Sequence, residues 1–193
     1  MAAGCATSTT ERLRLPPLQT VARVELSRYL GTWYEIANFP QRFQRGCTAT
    51  MATYTLRADG DLEVLNRCRK GSLDGKEKSA LGRARVVDST TNAKLEVSFF
   101  RPFWGDYWII DLGADYEHAV VGHPGRDYLW ILARQPTLAE ATYQGIVERL
   151  PRRRATRPPA WCAPLQVAAP RPDARGASRG GQLMGPRRSA RSS

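Results

Sequence analysis

The sequence has few of the side chains that build metal sites and no apolar segment long enough for a membrane helix. Its two histidines, His118 and His123, are too few and too scattered for a metal centre. No stretch approaches the ~20 consecutive apolar residues that a membrane helix needs. A glycine-rich phosphate loop and the Ser-His-Asp order of a hydrolase are also absent. We therefore predict no metal, no cofactor and no enzymatic activity.

Acidic residues are scarce after Leu150, and this scarcity explains the basic character of the chain. The net charge of the 193 residues is +11. Ten Arg and one Asp give residues 151–193 a charge of +9, which leaves +2 for residues 1–150. This tail is also rich in Pro, Ala, Gly and Ser, so the sequence predicts disorder there. We expect no nucleic acid as a partner; DNA binding by the basic tail is the alternative, and truncation at Leu150 would test it.

Alternation of apolar and polar residues runs through most of the chain and predicts strands joined by short links. The predicted strands span residues 31–39, 48–56, 62–68, 80–88, 94–100, 107–112, 118–123 and 128–133. No helical segment lies between them, so an up-and-down all-β meander is predicted rather than a parallel sheet. After the capping-box pair Thr137 and Glu140 the apolar period becomes helical, which predicts one helix over 138–149 against the outer wall of the sheet.

Two residues about a hundred positions apart are expected to meet at one end of this sheet. Trp33 opens the first strand, and Gly31 lets the backbone turn tightly just before it. Arg134 closes the last long strand, and a guanidinium can lie flat on an indole. This combination resembles the signature of the lipocalin family, in which the pair plugs the closed end of a cup-shaped barrel.

Further segments share the order and spacing of one lipocalin group, which contains bacterial outer-membrane lipocalins, apolipoprotein D and plant temperature-induced lipocalins. These segments are residues 29–43, 95–100, 105–108, 115–121 and 127–134. The resemblance covers roughly residues 24–150 and implies an eight-stranded antiparallel barrel with one C-terminal α-helix packed outside. We accordingly divide the chain into an N-terminal tether (1–23), a lipocalin domain (24–150) and a basic tail (151–193).

Alternation, phased by a buried Trp33, predicts which side chains face the interior of the barrel. The predicted cavity wall consists of Glu35, Ala37, Phe39, Ala52, Tyr54, Val64, Val97, Phe99, Tyr107, Ile109, Val121 and Trp130. Loop residues Phe43, Phe103 and Trp104 are expected to form an apolar rim that contacts a membrane or a second copy, giving a homodimer; the alternative is that these side chains only anchor their loops. The alternative is that the wall residues fill the interior and leave no cavity.

The resemblance implies a fatty acid, a lysophospholipid or a similar membrane lipid as the ligand. Such a ligand would be held without covalent bonds, with about 0.8 kcal/mol gained for each buried CH₂ group. The resulting function is lipid storage or transport at the bacterial cell envelope.

The cysteines leave several alternatives open. Cys47 and Cys68 flank the Asp59-Gly60 turn, and a disulfide between them needs a bulge or a loop offset, because a tight turn sets Cys68 opposite residue 51. Resemblance to apolipoprotein D makes Cys162 the rival partner of Cys47. One mammalian lipocalin uses a cavity thiol in catalysis, so an enzyme with Cys68 as its thiol is the alternative to a binding protein, although no base is evident beside it.

Both ends of the sequence carry hypotheses of their own. Small residues before Cys5 resemble the end of a bacterial lipoprotein signal, which would make the protein a lipidated outer-membrane lipoprotein facing the periplasm. That assignment needs translation to begin upstream of Met1; otherwise Cys5 is an incidental thiol and the chain as written is cytoplasmic. Relatives follow the helix with a Gly-Tyr-Asp segment and a strand that pairs with the first strand. Here residues 151–157 differ, and our hypothesis is a frameshift soon after Leu150 that removes this partner strand.

Overall fold

The computed structural model describes residues 16–150, which fold into a closed antiparallel barrel of eight strands. Each strand pairs with the next along the chain and the last pairs with the first, so the predicted all-β up-and-down barrel is confirmed. The strands are β1 (Gly31–Asn38), β2 (Cys47–Leu56), β3 (Leu62–Lys70), β4 (Glu77–Val86), β5 (Lys94–Phe100), β6 (Phe103–Leu112), β7 (His118–Gly122) and β8 (Leu129–Ala133). The predictions for Cys5, for Cys162 and for the tail 151–193 lie outside the described residues.

A stack of an arginine on a tryptophan seals one end of the barrel. Trp33 is fully buried, and the guanidinium carbon of Arg134 lies 3.8 Å from the centroid of its indole. The same guanidinium donates hydrogen bonds to the carbonyl oxygens of Thr32, at 3.0 Å, and of Arg28. The predicted pair therefore meets, and Arg134 also satisfies two backbone acceptors at the closed end.

A short helix that the sequence did not predict, α1 (Leu26–Tyr29), leads into β1. The carbonyl oxygen of Tyr29 accepts a hydrogen bond from the indole N–H of Trp33 at 2.8 Å. Two residues after Tyr29, Gly31 has a φ of +90°, a left-handed conformation that favours glycine. This turn directs the chain from α1 into the barrel wall.

Residues 16–23, which we predicted to be part of a tether, contact the barrel over part of their length. The amide of Val21 donates a hydrogen bond to the carbonyl of Ile109 at 3.0 Å. The next valine, Val24, donates to the carbonyl of Thr91 at 2.7 Å, and its side chain is fully buried. Leu18, Val21 and Val24 do not alternate with polar residues at a period of two, so alternation in the sequence does not predict this contact.

The C-terminal helix, α2 (Glu140–Arg149), packs outside the barrel as predicted. Its Ile146 is fully buried and belongs to the same apolar cluster as the outward-facing Ile131 of β8. The helix begins two residues later than predicted, and its N-cap residue, Ala139, makes no side-chain capping bond, so the predicted Thr137 cap does not form. Neither helix that the structure describes is long and apolar enough to cross a membrane.

A disulfide joins Cys47, at the start of β2, to Cys68 in β3, with 5.5 Å between their Cα atoms. The pairing register of the two strands shifts between Thr48 and Met51. Ala49 lies inside this bulge with a φ of +49°, in the left-handed region. The bulge supplies the offset that the sequence analysis required for this pair of cysteines.

We predict that Arg134→Ala lowers the free energy of unfolding by about 2 to 3 kcal/mol, because it removes the stack and leaves two carbonyl groups without their donor. Arg85→Ala is the matched control, since Arg85 stacks on the ring of Trp104 at 4.3 Å but on the outer surface of the barrel. That change should cost about 1 kcal/mol or less. Urea denaturation followed by fluorescence measures both, and equal losses would contradict a special role for the closed end.

The double variant Cys47→Ser/Cys68→Ser should lose about 3 kcal/mol of stability, because the bond closes a loop between residues 21 positions apart in the chain. The measurement is the urea midpoint of the oxidised protein against that of the variant. Wild-type protein kept reduced should match the variant. A variant as stable as the oxidised protein would argue against the bond in solution.

Candidate ligand cavity

A cavity of about 250 Å³ lies inside the barrel and opens beside the loop 39–46. Its mouth is flanked by the partly exposed rings of Phe43, Phe99 and Tyr128. Of the predicted wall residues, these line it: Glu35, Ala52, Tyr54, Val64, Val97, Phe99, Tyr107 and Trp130. The interior is therefore hollow, and the alternative of a completely filled barrel is wrong.

Ala37 and Phe39 do not line the cavity, because a β-bulge reverses the phase of β1. Glu35 lies opposite Leu132 of β8, whereas Ala37 lies opposite the adjacent Ile131, so Ile36 is the extra residue. Beyond this bulge the side chains that alternation placed inside face α2 instead, and Ala37 is fully buried there. Phe39 packs against the same outer cluster.

Ile109 and Val121 face the interior as predicted but lie outside the cavity wall. They are paired across β6 and β7 and are fully buried in the cluster that contains Trp33. This cluster fills the closed end of the barrel. Alternation predicts on which face of a strand a side chain lies. It does not predict the position of that side chain along the barrel axis, because this depends on the stagger of the strands.

Phe43 is at the predicted rim, whereas Phe103 and Trp104 do not touch the cavity. The turn after β5 is tighter than we expected, so β6 begins at Phe103 and Trp104 lies within the strand. Trp104 stacks with Arg85 on the outer surface. Phe103 is 70% exposed and stacks on Phe100, with 6.4 Å between the ring centroids.

The carboxylate of Glu35 is held by two amides at the wall of the cavity. The side chain of Gln44 reaches in from the loop 39–46 and donates to Oε2 of Glu35 at 2.7 Å. Asn38 donates to Oε1 of Glu35 and, at 3.3 Å, to the amide oxygen of Gln44. That oxygen also lies 3.4 Å from the indole nitrogen of Trp130. A loop residue thus completes a polar network on an otherwise apolar wall.

Burial of Glu35 raises the pKa of its carboxyl group above 4.5, and the hydrogen bonds from Gln44 and Asn38 only partly offset this rise. No Lys or Arg lines the cavity among the described residues, so no cation faces the carboxylate. Charging Glu35 in the folded protein therefore costs more than charging it in the unfolded chain.

Several wall residues, most of them polar, were absent from our prediction: Gln44, Thr50, Met51, Asn66, Gly105, Asp106 and His123. Thr50 and Asn66 share the strand phase of Ala52 and Val64, so alternation could have identified them if polar residues had been allowed inside. The imidazole Nε2 of His123 lies 3.7 Å from the carboxylate of Asp106.

Cys68 does not line the cavity, and its sulfur is bonded to Cys47. His118 lies 3.1 Å from the carboxylate of Glu117, far in sequence from the cysteines. Within residues 16–150 no group of three or more His, Cys, Asp or Glu side chains is placed to hold a metal ion. What the cavity offers chemically is an apolar chamber with a few polar groups, suited to non-covalent binding of an amphipathic molecule.

Comparisons with known proteins agree with this architecture. A family model described as a lipocalin-like domain matches residues 24–155. The chain is 46% identical over 131 residues to the outer membrane lipoprotein Blc of Escherichia coli (strain K12), which covers 67% of this chain and 73% of that protein. It is 41% identical over 141 residues to temperature-induced lipocalin-1 of Arabidopsis thaliana, covering 68% and 74%. Insecticyanin from the tobacco hornworm Manduca sexta has the same fold, with a TM-score of 0.55, 20% identity and coverage of 69% of this chain and 75% of that one.

Glu35→Gln should stabilise the protein increasingly as the pH rises. Because the pKa of Glu35 is raised in the folded protein, the folded state still holds this proton when the pH exceeds about 4.5, whereas the unfolded state has lost it. The free energy of unfolding of the wild type therefore falls as the pH rises from there to the folded pKa. The Gln variant has no such loss. Urea denaturation of both proteins over a series of pH values measures the difference.

Glu96→Gln is the control, since Glu96 lies on the outer surface and pairs with Arg85 at 2.7 Å. It should not reproduce the rising difference. A gap between the Glu35→Gln variant and wild type that stays constant with pH would contradict the raised pKa.

Proposed function

This chain belongs to the lipocalin family, and from that premise we propose that it stores or transports fatty acids or lysophospholipids at the bacterial cell envelope, supporting membrane maintenance. Family membership implies that it binds a small hydrophobic ligand. The single observation that carries the proposal is the hollow, mostly apolar chamber with its aromatic mouth.

The chamber suits one acyl chain better than a bulky polar molecule. Its wall is built largely from carbon atoms of residues such as Val64, Val97 and Leu132. Each CH₂ group transferred there from water gains about 0.8 kcal/mol, so a chain of several such groups supplies useful affinity without any charged contact.

The mouth supports the placement of an anionic head group outside the chamber. Phe43 is 61% exposed on the loop 39–46, and the same loop carries the exposed Arg42 and Arg45. Aromatic rings beside guanidinium groups suit the interface between an acyl chain and a carboxylate or phosphate. The same surface suits contact with a membrane or with a second copy of the chain, and we propose a homodimer on this basis.

The envelope location rests on relatives named as outer membrane lipoproteins. By analogy we propose lipidation of Cys5, which would hold the domain at the membrane surface. We also propose that the protein is a carrier and not an enzyme. The bonding of Cys68 to Cys47, away from the cavity wall, supports this, because the thiol of the enzyme alternative is not free.

Ala52→Trp should weaken lipid binding about tenfold or more while the barrel remains folded, because the larger side chain occupies space that about two CH₂ groups of the ligand would fill. Thr55→Trp is the matched control, since Thr55 lies on the same strand but is exposed outside the barrel. Displacement of a fluorescent fatty acid measures affinity, and circular dichroism checks the fold.

Native mass spectrometry of the purified protein, followed by lipid extraction, tests the function itself. We expect a bound or exchangeable fatty acid or lysophospholipid. A folded protein that neither carries nor takes up such a lipid, or equal affinity in the two tryptophan variants, would overturn the proposal.

A further inference from the structure

Three tyrosines meet through their hydroxyl groups at the inner end of the cavity. Tyr54 and Tyr107 line the cavity wall, and Tyr29 of α1 is fully buried next to Trp33, with 4.9 Å between the ring centroids. The hydroxyl oxygen of Tyr107 lies 2.8 Å from that of Tyr29 and 2.8 Å from that of Tyr54. We call these three residues the phenol triad.

The phenol triad has one more proton than its own hydrogen bonds use. Three hydroxyl groups bring three O–H donors, and the two contacts centred on Tyr107 consume two of them, whichever way the protons point. Among the described residues, no other group accepts a hydrogen bond from these hydroxyls. The spare O–H belongs to Tyr54 or Tyr107, at the cavity wall, in two of the three possible proton arrangements, and to Tyr29, which does not line the cavity, in the third. A buried donor without an acceptor is costly, so an acceptor placed in the cavity favours the first two arrangements.

The donor is present at every physiological pH. Burial raises the pKa of Tyr54 to about 12 and the pKa values of Tyr29 and Tyr107 well above 10. All three groups therefore stay protonated and uncharged.

No cationic side chain lines the inner end of the cavity in the described part of the chain; Arg134, whose charge acts on Tyr29, stacks on Trp33 and does not line the wall. The charged wall residues are Glu35 and Asp106, together with the titratable His123, and no Lys or Arg joins them among the described residues. A carboxylate or phosphate pushed to the inner end would be buried without a cation in contact with it among the described wall residues. An uncharged oxygen needs only the hydrogen bond that the triad can give.

We infer that the phenol triad is a binding subsite for an uncharged oxygen, a hydroxyl or a carbonyl, carried at the inward end of the ligand. The inference rests on the proposed lipid-binding function and narrows its ligand class to chains that are polar at the inner terminus. Such a chain keeps any anionic group at the mouth, beside Arg42 and Arg45, and places its second polar group against Tyr54 and Tyr107.

The test compares two ligands that differ only at the inner end. A saturated fatty acid and its omega-hydroxy form of the same chain length share the carboxylate, and each displaces a fluorescent fatty acid from the full chain. If the inner end of the cavity were purely apolar, the added hydroxyl group of the omega-hydroxy acid would weaken binding. With the triad as subsite, the omega-hydroxy acid binds about two- to tenfold more tightly at the chain length that reaches the inner end.

The double variant Tyr54→Phe/Tyr107→Phe removes both hydroxyls that line the cavity and should reverse this preference. Tyr34→Phe is the matched control. Tyr34 lies between two inward-facing residues of β1 and so faces outward, and the substitution removes a hydroxyl oxygen from the outer face of the barrel. It should leave the preference unchanged.

The outcomes separate this inference from the proposed function. If the parent acid binds and the omega-hydroxy acid binds more weakly at every chain length, the triad only stabilises the fold and the subsite is refuted. If neither acid binds, the carrier function fails and the subsite fails with it. The wild-type comparison is decisive even where the double variant does not fold.

Discussion

The stack of Arg134 on Trp33 is the contact on which the rest of this molecule depends. It seals one end of the barrel, and the same guanidinium donates hydrogen bonds to the backbone carbonyl groups of Thr32 in β1 and Arg28 in α1. The cavity opens beside the loop 39–46, away from this sealed end. Inside such a chamber the dielectric constant is low, so unpaired charges are costly whereas hydrogen bonds between neutral groups are strong.

The cost of burying an unpaired charge agrees with where the polar groups lie between the mouth and the closed end of the barrel. The sequence contains 29 Lys and Arg residues, yet none lines the cavity in the described part of the chain. Cationic groups are found on the mouth loop, a buried carboxyl and two amides follow at the wall, and neutral phenols lie at the inner end. The result is a gradient from charged to neutral polarity along an apolar passage, which matches an amphipathic molecule lying along the barrel axis.

Alternation phased by Trp33 predicted the architecture and much of the wall because a strand has a fixed period of two residues. It failed where a single residue breaks that period: the extra residue Ile36 reversed the phase and turned Ala37 towards α2. Alternation also failed to predict the position of a side chain along the barrel axis, since Ile109 faces inward but lies below the cavity. Gln44 was invisible to any period because it comes from a loop. Each failure depends on how distant strands are staggered or joined, which local pattern does not record.

The loop that carries Gln44 is fastened at both of its ends. The amide of Phe39 donates to the carbonyl of Leu129 at 3.0 Å, and at the far end the amide of Gly71 donates to the carbonyl of Gly46 at 2.8 Å, beside the Cys47 disulfide. Moving the two ends of this segment to widen the entrance would break those attachments. Ligand exchange should instead proceed by rotation of side chains such as Gln44, a motion of picoseconds to nanoseconds when unhindered. We then expect the residence time of a bound molecule to depend on the apolar surface that it exposes to water on leaving, and not on a slow gate.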